Sequence, residues 1–196
     1  MSTLKIEERF EVRASASRVL EFLSDPERFI PCLPGAAYVQ THDDGKFDGT
    51  VTVALGPCTL KYAGWARFTE LDRVGGRLVL EGSGRESTGC GIVKMVMTCT
   101  ATETDGVTSC DVSADVKLAG KIVGFGRGMI KTVNRTIFQE FTQRARAQLE
   151  VTESAASEQG DAPGSAQKSL PAISLLFKAL WMTITDFFRR LFKSGD

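Results

Sequence analysis

The chain has 196 residues, enough for one domain with an appendage. Its 24 Lys+Arg balance 24 Asp+Glu, and this zero net charge argues against a general nucleic-acid binder, which needs a basic excess. Five cysteines, an odd count without CxxC spacing, speak against a secreted disulfide framework.

Met1 to Phe10 is polar and charged with no apolar core, so no signal peptide is expected and cytoplasmic residence is the default. Residues 4–12 alternate, with Leu4, Ile6, Glu8, Phe10 and Val12 on one side, which predicts a strand. Ser15 then opens a short helix with Val19, Leu20, Phe22 and Leu23 as its apolar face. Asp25-Pro26 starts a second short helix that should stop at Pro31, and Pro34-Gly35 marks a turn.

From about 36 to 118 the pattern has period two, punctuated by turn signals, of which Asp105-Gly106 is the sharpest. The inner faces read Phe47, Val51, Val53, Leu55; Leu60, Tyr62, Phe68; Leu78, Leu80; Val93, Met95, Met97, Cys99; and Cys110, Val112, Ala114, Val116, Leu118. With the first strand, about seven antiparallel strands are expected. Residues 121–150 switch to helical spacing through Ile122, Phe125, Met129, Ile130, Val133, Ile137, Phe141, Ala145 and Leu149. An apolar helix of that length must lie on the sheet. The architecture is therefore α+β: a curved antiparallel sheet and a long helix over residues 1–150.

Composition then changes. Residues 151–169 are rich in Ala, Ser, Gln and Gly and read as a flexible linker. Beyond them, 170–196 is strongly apolar. Lys178 and the cluster Asp186, Arg189, Arg190 leave no run of about 20 apolar residues, so a spanning helix is disfavoured. On a helical wheel Phe177, Trp181, Phe187, Phe188 and Phe192 share one side, while Arg189, Arg190 and Lys193 take the other. That is the pattern of an amphipathic helix lying in a membrane surface. Packing on the domain or on a partner protein is the competing reading.

Catalytic signals are sparse. His42, the sole histidine, sits beside Asp43-Asp44-Gly45 in a turn, and no triad or metal site can be built around it. Gly82-x-Gly84 and Gly124-x-Gly126-x-Gly128 do not match a phosphate-binding motif. The glycines at 120–128 fit either close backbone packing or a pliable gate. Met95, Met97 and Cys99, facing Met129, fit either a soft core or the lining of a cavity.

The order strand, two short helices, six strands and long helix resembles the START/SRPBCC (Bet v 1-like) helix-grip superfamily. Closer still, the chain is similar to the carbon monoxide dehydrogenase CoxG-like family. Phe10-Glu11-Val12 into Ala14, Phe22-Leu23-Ser24-Asp25-Pro26, Pro34-Gly35, Gly56-Pro57, Gly82-x-Gly84, and Leu118-Ala119-Gly120 through Gly124-Phe125-Gly126 carry the resemblance over about residues 3–150. It implies a sheet gripping the long helix around an apolar cavity, no catalytic motif, and no covalently bound cofactor.

It also implies association with molybdenum-containing CO dehydrogenase-type hydroxylases, at the cytoplasmic side of the membrane, and binding of a quinone (menaquinone or ubiquinone) or similar lipid. The expected lining is Tyr62, Leu80, Met95, Met97, Phe125, Met129 and Val133, with Phe29 near the mouth. A ligand-free adaptor that recruits or matures the hydroxylase is the alternative. An enzyme is the third, because some helix-grip relatives catalyse cyclisations.

Overall fold

A computed structural model describes residues 2–89 and 91–157. The first strand, β1 (Ser2–Val12), leads into α1 (Ala16–Leu23), whose start is fixed by the Ser15 side chain accepting from the Arg18 amide at 3.4 Å. In α2 (Pro26–Phe29) the Asp25 carboxylate accepts from the Glu27 amide, with Pro26 in the first turn. The chain does not stop at Pro31. It tightens into a 3-10 turn, Ile30–Cys32, which Pro tolerates because its missing amide falls in the first turn.

Six strands follow: β2 (Ala36–Thr41), β3 (Lys46–Leu55), β4 (Cys58–Asp72), β5 (Arg77–Glu86), β6 (Gly91–Thr104) and β7 (Val107–Gly120). They form one antiparallel sheet in the order β1-β7-β6-β5-β4-β3-β2. Each sequential pair is a hairpin. Asp105 and Gly106 both take positive φ, 51° and 74°, as a two-residue β6–β7 turn requires. Register slips at Tyr38/Gln40 and Phe68/Glu70 bend the sheet. So does Gly64, where a Cβ would come within 2.1 Å of the Ser83 carbonyl, so only glycine lets β4 and β5 approach this closely.

After β7, Lys121–Phe125 is a 3-10 turn, and α3 runs from Gly126 to Ser157. The helix therefore begins later and ends later than the 121–150 expected from sequence. The later end follows from the absence of Gly or Pro between 151 and 157, so the linker begins further on than 151. The segment 170–196, with Phe177, Trp181, Phe187, Phe188, Arg189, Arg190, Phe192 and Lys193, lies outside the described residues. Among the described residues no helix is long and apolar enough to cross a membrane.

The sheet's inner face supports two separate apolar clusters. The larger joins Phe10, Val12, Phe47, Leu78, Leu80, Cys99 and Cys110 to α1, to Phe29 and Ile30, and to Phe141, Ala145 and Leu149 at the far end of α3. Edge-to-face ring pairs brace it: Phe10 on Phe141 at 6.3 Å and Phe29 on Phe47 at 6.2 Å. Each fully buried side chain here, such as Phe22 or Leu149, contributes about 1.5–3 kcal/mol. The smaller cluster joins Leu55, Leu60, Tyr62, Val116, Leu118 and Ile122, with Phe125, Ile130 and Val133 packed against it only in part.

Between Ile6 in one cluster and Phe10 in the other, β1 presents Glu8, which accepts from the Asn134 amide of α3 at 3.2 Å. The single polar residue in the inner face of β1 is thus met from the helix at the division between the clusters.

Candidate functional site: a hollow between two cores

The inner positions of β5 run Leu78, Leu80, Gly82, Gly84, Glu86. The two leucines belong to the closed cluster; the two glycines present no side chain at all. On β4 the corresponding positions run Tyr62, Gly64, Ala66, Phe68. The register sets Gly64 opposite Gly84 and Ala66 opposite Gly82. Four small residues therefore floor the sheet between Phe68 and Leu80 at one end and Tyr62 and Glu86 at the other. A Cβ built on Gly84 would meet only β4 atoms, at 3.6 and 3.7 Å, and no atom of α3 within 4 Å. The floor is left open toward the helix.

Met95 borders this hollow on β6, where it lies opposite Gly82 and packs on both clusters; Met97 lies opposite Leu80. Unbranched methionine adapts to irregular neighbours, which suits a boundary position. The covering segment is the 3-10 turn and first turns of α3, carrying Phe125, Ile130 and Val133. A Cβ at Gly124, Gly126 or Gly128 would meet nothing within 4 Å, so close packing is not why these are glycines. Gly126 has a backbone reason, φ +76°; Gly124 and Gly128 have neither. Their effect is to loosen the start of the helix.

The expected lining residues divide. Tyr62, Met95, Phe125 and Val133 gather at the smaller cluster, and Leu80 and Met97 sit where the larger one meets the hollow. Phe29 is elsewhere. It is held in the closed core by α2 and its ring pair with Phe47, not at a mouth. Met129 is 43% exposed and belongs to neither cluster, because the helix turns Ile130 and Val133 inward instead. Val51, an inner-face position by alternation, has Tyr62 as its register partner but remains exposed. Alternation alone does not pick out Glu86 and the run Gly82-x-Gly84 as lining. The signal for them is a strand face descending from leucine to glycine to an acid.

Polar groups in the hollow are few. Among the described residues, Tyr62 Oη and Ser109 Oγ are the buried side-chain polar atoms without a hydrogen-bond partner. Burial, and then the nearby Glu86 charge, push the Tyr62 phenol above its ordinary value, so it keeps its proton. Glu86 itself is buried and accepts from the Thr88 hydroxyl.

Elsewhere, Cys99 and Cys110 are diagonal neighbours on β6 and β7 in the closed core. Their mutual hydrogen bond, and then burial, push the Cys110 thiol up, so it stays protonated and unreactive. Cys32 is likewise raised by burial, whereas Cys58 is exposed rather than a core residue. His42 bonds Asp48 at 2.8 Å on the exposed β2–β3 turn, and this bond holds the Asp48 carboxyl below its usual range. No group of three or more His, Cys, Asp or Glu among the described residues could hold a metal ion.

Comparison with known proteins gives the fold independent support. A conserved protein from Geobacillus kaustophilus superposes with a TM-score of 0.69 at 17% identity, covering 76% of this chain and 97% of that one. The Zhui aromatase/cyclase from Streptomyces sp. R1128 follows at 0.57 and 16%, covering 79% and 98%. A START superfamily protein from Mycobacterium smegmatis gives 0.51 and 14%, covering 76% and 98%. At such identities the likeness concerns the fold, which is the helix-grip arrangement of START and Bet v 1-like proteins. A search of curated protein sequences finds no match. The family model for CoxG, a carbon monoxide dehydrogenase subunit, matches residues 9–150, which takes in both clusters and the hollow between them. The chain belongs to the carbon monoxide dehydrogenase CoxG family.

Proposed function

We propose that this protein is a non-catalytic carrier: the hollow takes an apolar small molecule, a quinone such as menaquinone or ubiquinone, and the segment 170–196 holds the domain at the cytoplasmic surface of a membrane. In this role it couples a molybdenum CO dehydrogenase-type hydroxylase to the bilayer by presenting the ligand between them. The observation that carries the reading is the floor of Gly64, Ala66, Gly82 and Gly84 between two packed clusters, beneath a helix start weakened by glycine. Apolar walls with a few polar groups are what ligand sites of this size need. Family membership supports the hydroxylase as partner.

The test is native mass spectrometry of the full chain purified from quinone-containing membranes. The wild type should carry a bound quinone mass. Gly84→Leu, which projects a side chain into the hollow without strained φ, should lose that mass and keep its fold. A wild type that is empty and takes up no added quinone would leave the adaptor role in place of the carrier.

A further inference from the structure

The hollow has one polar end. Tyr62 on β4 lies opposite Glu86 on β5, and the two residues are 9% and 5% exposed. Gly91, at the start of β6, sits against both: a Cβ there would stand 3.4 Å from Tyr62 Oη and 3.2 Å from Glu86 Cβ. The Tyr62 hydroxyl has no hydrogen-bond partner, although buried hydroxyls are almost always bonded. It is surrounded by Leu55, Leu60, Val116, Leu118 and Ile122, which offer none. The fold thus holds a protonated donor in an apolar setting with its bond unmade, next to an acid that would repel a second negative charge.

We propose that Tyr62 and Glu86 form the head-group end of the hollow and select an uncharged, carbonyl-bearing apolar molecule over a carboxylate of the same size. The phenol donates to the carbonyl oxygen and so gains its missing partner. Glu86 excludes fatty-acid anions by charge, since a carboxylate would bring two like charges together in a low-dielectric place. Recognition is then by one donor and one repulsion, and the apolar body of the ligand adds affinity without choosing among head groups. This inference rests on the carrier reading above and specifies its substrate class.

The experiment uses the full chain and three probes of matched carbon number: a prenylated 1,4-naphthoquinone, the same prenylated naphthalene without oxygens, and a fatty acid. Dissociation constants are measured for the wild type, Tyr62→Phe and Glu86→Gln, with circular dichroism to verify folding. The wild type should prefer the naphthoquinone over the hydrocarbon by about tenfold, the value of one hydrogen bond of about 1.4 kcal/mol. Tyr62→Phe should erase that preference and leave hydrocarbon binding unchanged. Glu86→Gln should raise fatty-acid affinity.

Equal naphthoquinone affinity in the wild type and Tyr62→Phe, or an equal loss for both neutral probes, overturns the inference while the carrier reading stands. Binding of none of the probes overturns both. Should Glu86→Gln not fold, the Tyr62→Phe comparison alone decides the donor role.

Discussion

Thr108 and Tyr62 both carry a buried hydroxyl, and their surroundings give them opposite consequences. The Thr108 hydroxyl, fully buried on β7, donates to the Ala14 carbonyl at 2.6 Å and ties the end of β1 to the sheet. Thr108→Val keeps the shape but leaves that carbonyl without its partner, so a loss of about 1–3 kcal/mol is expected in urea unfolding. Tyr62→Phe removes a hydroxyl that has no partner to lose. The ligand-free variant should be as stable as the wild type or more so, by up to about 1 kcal/mol in the same measurement. A destabilised Tyr62→Phe would mean that the phenol is bonded in the free protein.

At the scale of elements, the start of α3 separates two roles of glycine. Gly126 and Gly128 face equally open space, but Gly126 has φ +76° and ψ 152° while Gly128 lies in ordinary helix. Gly128→Ala should therefore stabilise the protein by about 0.5–1 kcal/mol. Gly126→Ala should destabilise it by about 1–3 kcal/mol, the range for a residue forced into a glycine-only region. Thermal melts read both signs. If this segment gates the hollow, Gly128→Ala should also slow naphthoquinone dissociation in stopped-flow traces, because opening then breaks a firmer helix start. The closed end of the fold needs no such pliancy: α1, α2 and the Phe141–Leu149 stretch of α3 pack there continuously.

For the whole molecule, the balance of charge is local as well as global. Residues 1–150 carry 19 basic and 19 acidic side chains, whereas 170–196 carry four bases and two acids beside their aromatics. Attraction to an anionic surface would therefore come from the tail, and it weakens with salt. Deleting 170–196 should leave the domain's melting temperature unchanged and abolish co-sedimentation with vesicles containing phosphatidylglycerol. A truncated protein that still pellets would place the membrane contact on the domain.

Much of the fold is legible without any tertiary information, because its signals are local. Period-two alternation, the Asp105-Gly106 turn, Ser15 and Asp25 as caps, and helical spacing after 121 define strands, turn and helices from neighbours within a few residues. The family resemblance is legible for the same reason, since its motifs are turns and element boundaries. Rotation and register are not local. Whether Met129 or Ile130 faces the sheet depends on how α3 seats against it, and Phe29 goes to the core because of the turn that follows it. Gly82-x-Gly84 is ambiguous as a motif; it becomes part of a floor only when β4 brings Gly64 and Ala66 alongside. Tyr62 could be placed on an inner face from alternation alone. That it stands beside Glu86 with its hydroxyl unbonded was decided by strand register and the packing around it, because a missing partner is a property of three-dimensional surroundings.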